Sequence, residues 1–597
     1  MSEEKWIEFE GSTVKVHILF GSNQGTCKSY SQILAKHCEK NNMIPTIESL
    51  DNFDVNLLHE DSLVIIVCST YNGHPPDNAT KFISWLTKPD LSSNSLSKVK
   101  FAIFGVGNSK WHTTFHRIPK LIHQRFIQLG ADPIFELGLG DEDSDLETDF
   151  SAWKSVFFPV LFNQLNIIGN TKHSLKAPPV DVSYLEEDLE DSSELWPPFS
   201  SDFKKCNITA IKELQTPGSD RSTKHIEIQL APGMSYETGD HLAVQPLNPK
   251  GLVSELAKRL GLNLKKKFVC QEKLRASNKF PQWSLTPITI ERALTQYMDI
   301  TSVPSRKLLR VLSIYAQDPS EGSQLASIAA LDKEGNEKYN LLIATPQRNL
   351  LEILMAFPSV NPPFGELVLN LPPLKHRFYS ISSSTKVSPS FVHCTVGIVK
   401  YTTPLGTQKE GLCSTYLASL STGGSVNVLI KNNPVRLPDA VSSPVILIGA
   451  GTGLAPHRGY LLEKFHQFKM NPDQENGKIV LFFGCRTSKT DFLYNEEFSE
   501  MLANAPKFNF QLITAFSREN PKAYVQHKIW ENRTLVWEMI SQGAYISICG
   551  DAKNMAKEVT QTLQNIIQQE GHQSPENAKK TIEELLSTGK YLQDVWG

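Results

Sequence analysis

Val14-Lys-Val-His-Ile-Leu-Phe20, followed at once by Gly21-Ser-Asn-Gln-Gly-Thr-Cys27, is an apolar strand that empties into a glycine-containing turn and then a helical pattern. Such a turn offers a phosphate its backbone N–H groups, the hydroxyls of Ser22 and Thr26, and a helix N-terminus, with no lysine required. Strand-to-helix turns use glycine structurally as well, so the loop alone decides little. The fold is decided by recurrence: Leu63 to Ser69, Val99 to Gly105 and Pro133 to Leu139 are further apolar runs, separated by amphipathic stretches. That alternation implies a parallel sheet covered by helices. Two of these runs lead into the loops Ser69-Thr-Tyr-Asn-Gly-His-Pro-Pro-Asp-Asn78 and Gly105-Val-Gly-Asn-Ser-Lys-Trp-His112. Each loop puts an aromatic at the carboxyl edge, where ligands bind in such sheets. Tyr71 and Trp111 together can sandwich a flat ring, whereas either alone is more often a packing residue.

The 597 residues suggest about four folding units. A hydrophobic share of 40%, a charged share of 21% and a net charge of −3 are ordinary globular values, which excludes a disordered, collagen-like or nucleic-acid-coating chain. Runs such as Leu63 to Cys68 and Val445 to Gly449 fall far short of the roughly 20 residues of a membrane helix. The opening Met-Ser-Glu-Glu-Lys lacks a signal-peptide pattern, so a cytoplasmic protein with no membrane anchor is expected. Nine cysteines are scattered with no Cys-x-x-Cys pair, and neither a disulfide framework nor a metal site is expected. Charge is uneven: residues 1–170 carry −6 and the remainder +3, which is a docking clue although any single carboxylate is more often plain solvated surface.

The organisation read from these patterns is a first α/β domain over 1–170 and an acidic linker over 171–200, with Glu186, Glu187, Asp188, Glu190, Asp191 and Glu194 before Trp-Pro-Pro. A β-barrel domain is expected over 201–440, opening with alternating segments such as His225-Ile-Glu-Ile-Gln-Leu and interrupted by a helical insert at about 248–370. A second open α/β unit is expected over 441–597, on the runs Val445 to Gly449, Ile479 to Gly484, Phe510 to Ala515 and Tyr545 to Cys549.

Two later motifs carry chemistry. Arg377-Phe-Tyr-Ser-Ile-Ser-Ser383 sets a guanidinium, an aromatic and a hydroxyl in one strand, with Arg377 and Tyr379 on one side and Ser380 on the other unless the strand bends. Gly449-Ala-Gly-Thr-Gly-Leu-Ala-Pro456 follows a strand, and its glycines let the backbone approach a pyrophosphate. Arg518 and Lys522 are by themselves a basic pair whose plain reading is a solvated loop, although an Arg can grip a phosphate bidentately and a Lys adds a point charge. Cys549 after a strand, and Trp596, are by themselves ordinary core or anchor residues.

The first loop set resembles that of flavodoxins. This implies FMN, with its phosphate on Ser22, Asn23, Gln24, Gly25 and Thr26 and its isoalloxazine between Tyr71 and Trp111. Asn72, Gly73, Gly107, Asn108 and Asp141 are the further FMN candidates, the last in Leu139 to Phe150, which looks like that family's acidic segment. The strand at Arg377 resembles the Arg-x-Tyr-Ser signature of the ferredoxin reductase family, and Gly411-Leu-Cys-Ser-Thr-Tyr-Leu417 its second FAD segment. By that resemblance Arg377 meets the FAD pyrophosphate, Tyr379 packs on the ring and Ser380 hydrogen-bonds near flavin N5, with Phe378, Gly411, Leu412, Cys413 and Ser414 beside them. Gly451 and Thr452, together with Arg486, Ser517, Arg518, Lys522, Tyr524, Gln526 and Asp551, fall to NADPH, while the family's usual Pro and Phe are replaced by Ala450 and His457. In the diflavin reductases the residues matching Cys549 and Asp594 flank the hydride path, and the one matching Trp596 covers the FAD ring.

The whole chain is thus identified as a member of the diflavin reductases, an α/β multidomain enzyme of the cytochrome P-450 reductase type. It most resembles the reductase half of bacterial self-sufficient monooxygenase fusions through Tyr71 to Asn78, Trp111 to Thr114, Glu213 to Arg221 and Gly239-Asp-His241. About 13 residues precede the first strand, so the expected acceptor is a separate haemoprotein. The alternative within enzymes is a cytosolic diflavin reductase serving an iron–sulfur cluster assembly protein. From another class, a flavin-bound module without chemistry is disfavoured by the intact Ser380, Cys549, Asp594 and Trp596.

Overall fold

The computed structural model describes residues 14–23, 25–59, 62–71, 73–109, 114–143, 146–165, 182–185, 203–270, 280–330, 332–433, 436–552 and 554–596. They fall into two compact units that divide at residue 177.

In the first unit, parallel strands lie in the order Ile44–Ser49, Lys15–Gly21, Ser62–Ser69, Val99–Gly107, and both Asp132–Pro133 and Gly138–Asp141 pair with Val99–Gly107. Leu63 to Cys68 is buried throughout because both faces are covered. Val64 and Ile66 join Leu19 in one core, and Ile65 and Val67 join Val16 and Ile18 in the other. The expected strand Pro133 to Leu139 is split in two. Pro133 has no N–H to extend a ladder, and the segment between the halves turns its Glu136 carbonyl to the Trp153 indole N–H at 3.2 Å.

The second unit opens with an antiparallel sheet in the order Arg377–Ser380, His241–Gln245, Ser425–Lys431, Lys204–Glu213, Thr223–Gln229, Phe391–Gly397. Ile381 bridges Cys394, and Ser382 N donates to His393 O at 2.8 Å, so the first strand meets the last and the sheet closes into a barrel. Closure removes the exposed edges. Between His241–Gln245 and Arg377–Ser380 the chain runs through helices from Lys250–Leu260 to Phe364–Asn370, packed around Leu309, Ile353 and Leu367. That region also holds a small unexpected sheet, Ile288–Thr289, Lys267–Cys270 and Val182–Tyr184. Val182 is buried in the same core, which is why part of the stretch read as linker is a strand.

A parallel sheet follows in the order Phe510–Phe516, Ile479–Cys485, Val445–Ala450, Tyr545–Asp551, Tyr591–Trp596. The last strand was not expected from its mixed sequence, and its register sets Asp594 beside Cys549 and Trp596 beside Asp551. Among the described residues no helix is long and apolar enough to cross a membrane.

Candidate active site

Three strands bring one cluster together. In the barrel, His241 and Ser380 are cross-strand partners. From the parallel sheet, Asp594 and Cys549 are partners. Asp594 joins the pairs: its Oδ2 accepts the Ser380 hydroxyl at 2.6 Å and the Cys549 thiol at 3.6 Å, and its Oδ1 lies 3.0 Å from His241 Nε2. Burial alone would raise the Asp594 carboxyl, but the His241 charge and these hydrogen bonds outweigh it and hold it below its ordinary value. Burial would likewise lower His241, yet Asp594 and Asp240 hold it above. Burial pushes the Cys549 thiol well up, so it stays protonated and donates. The result is a carboxylate biased toward its ionised form beside an imidazole biased toward its protonated form, a pairing suited to holding charge and relaying a proton. His241 stands in the sequence only as part of the stretch Gly239-Asp-His241, and nothing there ties it to a residue 353 positions away.

Beside this cluster, Arg377 is exposed and donates to the carbonyls of Lys375 and His376 at 3.1 and 3.3 Å, with no carboxylate partner among the described residues. Phe378 packs edge-on to His376 with centroids 4.9 Å apart. Cys413 lies in electrostatic contact with Tyr379 and Arg377, so the two barrel motifs adjoin. Gly411 precedes the helix Leu412–Ser419, and Ser414 Oγ donates to Gly411 O at 3.1 Å while accepting Val399 N at 3.2 Å. An exposed guanidinium that meets only neutral carbonyls among the described residues, within electrostatic reach of Cys413 in the helix's first turn, fits a pyrophosphate.

The Gly449 loop is packed so closely that a Cβ at Gly453 would sit 2.1 Å from Cys549 O, and Gly451 has φ +56. Thr452 lies against Gly397 of the barrel. His457, standing where a Phe was expected, is fully buried on Ser547 Oγ at 3.1 Å and pushed down to about 4 by burial, so it acts as a neutral core residue. At the neighbouring strand ends, Arg518 N donates to Arg486 O at 2.8 Å and Ser517 N to Cys485 O at 3.0 Å. Both guanidiniums converge on Asp220, which comes from the barrel hairpin and was not anticipated. Lys522 Nζ stands 5.0 Å over the Tyr524 ring, Gln526 pairs with Glu558, and Asp551 Oδ2 accepts Asn554 N at 2.9 Å. Trp596 is 40% exposed and is therefore no core anchor.

In the first unit, the described part of the phosphate loop is tied to the Pro76 turn: Ser22 N donates to Asn78 Oδ1 at 2.9 Å, and Asn23 Oδ1 accepts Asp77 N at 2.8 Å. Gly25 sits at φ +83, a left-handed value that favours glycine, and Thr26 opens the helix Thr26–Lys40. Among the described residues Asn23 Nδ2 is buried with no partner, a donor that suits a phosphate. Tyr71 and His74 exchange backbone hydrogen bonds at 2.9 and 2.8 Å around Gly73. Gly107 pairs with Asp141, whose Oδ1 accepts Ser109 N at 2.9 Å, which fixes the loop through Asn108. Gln24, Asn72 and Trp111 lie outside the described residues. All of these loops leave the carboxyl ends of one parallel sheet, so they share one edge.

Family models match in three stretches: flavodoxin over residues 18–153, FAD binding domain over 198–416 and oxidoreductase NAD-binding domain over 447–561. Together they define an oxidoreductase with two flavins, FMN and FAD, and NADPH as the nucleotide. The NADPH–cytochrome P450 reductase of Dictyostelium discoideum is 34% identical over 603 residues, covering 97% of this chain and 89% of that protein. The protein of that name from Homo sapiens is 34% identical over 607 residues, covering 97% and 88%. The one from Drosophila melanogaster is 35% identical over 607 residues, covering 97% and 87%. The chain belongs to the NADPH-dependent diflavin reductase family, whose members carry electrons from NADPH through FAD to FMN.

Proposed function

We propose that the protein hands its electrons to a separate haemoprotein of the cytochrome P-450 or cytochrome c type, with Ser380, Cys549, Asp594 and Trp596 governing the hydride step. FAD, when bound, accepts two electrons from NADPH and releases them singly. The observation that carries the assignment is the Asp594 carboxylate, held ionised and accepting from Ser380, Cys549 and His241 at once. NADPH becomes cationic as it gives up hydride, and a preorganised carboxylate stabilises that developing charge. Ser380 Oγ–H and His241 Nε2–H, both now spent on Asp594, are the protons available to the reduced ring. In this reading Trp596 covers the ring face and yields it to nicotinamide, which its exposure at the end of its strand supports. Arg486, Ser517, Arg518, Lys522, Tyr524, Gln526 and Asp551 are assigned to NADPH, and the barrel and flavodoxin-like loops to FAD and FMN.

The haemoprotein assignment is supported by the names of the relatives and by the −6 charge of residues 1–170, which suits a basic partner face. Surface attraction is screened over about 8 Å at physiological ionic strength, so reduction of cytochrome c or a P-450 by the full chain should slow as salt rises, chiefly through association. A rate independent of salt refutes electrostatic docking. Reduction of an iron–sulfur assembly protein but no haemoprotein transfers the assignment to that acceptor.

A further inference from the structure

His225, Glu227 and His393 form a cluster that the hydride step does not use. His225 and Glu227 are two residues apart on the strand Thr223–Gln229 and so share a face. The barrel register sets His393 opposite Glu227 and Thr395 opposite His225. His225 Nε2 lies 3.2 Å from one Glu227 carboxylate oxygen and His393 Nε2 4.0 Å from the other, and the ligand atoms of all three residues fall within 4.8 Å of one another. A tetrahedral ion with bonds of about 2.0–2.2 Å holds its ligands roughly 3.4 Å apart, so only His393 has to close in.

We propose that His225, Glu227 and His393 bind a divalent transition-metal ion of the zinc class, at the seam between the barrel and the NADP-binding sheet. Two imidazoles and one carboxylate form a donor set for such ions that leaves a position open to water. The outer shell is in place. His225 Nδ1 lies 3.0 Å from Tyr494 Oη, which lies 2.7 Å from Thr395 Oγ1. Both hydroxyls can donate or accept, so the chain can turn to let Nδ1–H donate to Tyr494, freeing Nε2 for the ion. Among the described residues the His393 ring is unsatisfied: Nδ1 is buried with no partner, and Nε2 has only the 4.0 Å contact, too long for a hydrogen bond. A metal bond at this ring supplies what the protein leaves out. Side-chain exposures of 28% for Glu227, 13% for His393 and 6% for His225 give the ion a way in past Glu227. Two cations oppose it, Lys212 and Arg458. Arg458 is largely neutralised by Glu497, with contacts of 2.7 and 2.6 Å, so the residual repulsion comes from Lys212.

The test uses the full chain with both flavins bound, stripped of metal by a chelator and dialysed against zinc chloride, with bound zinc counted by atomic emission. The expected result is one zinc per chain at micromolar free zinc, lost in Glu227→Gln and in His393→Gln while flavin content stays at the parental level. Zinc should also raise the unfolding midpoint of the parent and not of the variants, because an ion that binds only the folded state stabilises it. A parent that binds no zinc, or variants that bind as the parent does, overturns the proposal. If His393→Gln loses its flavins, Glu227→Gln, on the most exposed of the three side chains, decides alone.

Discussion

In the flavodoxin-like unit the described groups around the candidate site are backbone N–H groups, amides and one carboxylate on loops at a single sheet edge. In the reductase unit they are side chains clamped onto Asp594 by the register of neighbouring strands. The charge states differ as sharply. Near the first site, burial pushes His74 below its ordinary value and His116 down to about 4, and Asp141 is held low against burial by hydrogen bonds from Ser109 and Asp143. Each of these shifts favours the uncharged imidazole or the ionised carboxylate. In the second site the shift runs the other way: His241 is held above its ordinary value, toward its charged form. Passing single electrons asks only for position, whereas a two-electron step that moves hydride also needs groups that hold charge and protons.

The comparison breaks most visibly on removing residues 1–170. The remaining chain should still reduce ferricyanide from NADPH but lose cytochrome c reduction altogether, and undiminished cytochrome c reduction by the fragment would refute the division of labour. Next in size is Asp594→Asn, which removes the charge and keeps the shape. Flavin reduction followed by rapid mixing should slow by about 10²–10³-fold, with flavin content unchanged.

A smaller effect sharpens the pH contrast. Because His241 lies above its unfolded value, its contribution is complete below that value and fades as pH rises through the raised one. Because Asp594 is depressed, its contribution fades as pH falls through its lowered value. Because the protonated imidazole is the form that can give up a proton at the site, flavin reduction should decline on the alkaline side as well, and His241→Gln should abolish that limb in a rate-against-pH profile. Delivery from the first unit to the acceptor should stay flat over the same range.

Smaller again are the nucleotide contacts. Trp596→Ala should improve use of NADH, lowering the NADPH-to-NADH ratio of kcat/KM, since remote phosphate contacts are no longer needed to displace the indole. An unchanged ratio makes the indole merely structural. Arg518→Ala should cost NADPH about 1.5 kcal/mol, the low end for a charge-assisted contact at an exposed position, and leave NADH nearly unchanged in the same kinetics.

The elements legible in the sequence were those with a one-dimensional mark. Leu63 to Cys68 and Val445 to Gly449 are unbroken apolar runs because both faces of a parallel strand are covered. The glycine loops show because close backbone approach excludes side chains, as at Gly453. The strand Tyr591–Trp596 escaped because it pairs on one side only, and its Gln593 and Asp594 break any apolar run. His241, Asp220 and His393 escaped for a shared reason: each acts on a residue brought near by register or domain packing. Alternation in His225-Ile-Glu-Ile already put His225 and Glu227 on one face, but the third member sits 166 residues beyond Glu227, on a strand that only barrel closure identifies as a neighbour.

The Asp594 contact also has a consequence in time. The last barrel strand ends at Lys431, 163 residues before Asp594 (594 − 431), and translation at 5–20 residues per second takes roughly 8–33 s to cover that distance. A growing chain on the ribosome can finish its barrel and take up flavin well before the carboxylate emerges. On the proposed role of Asp594, the chain in that interval holds a flavin with no completed path for hydride, which would keep the nascent protein from draining NADPH into oxygen until its last sheet is assembled.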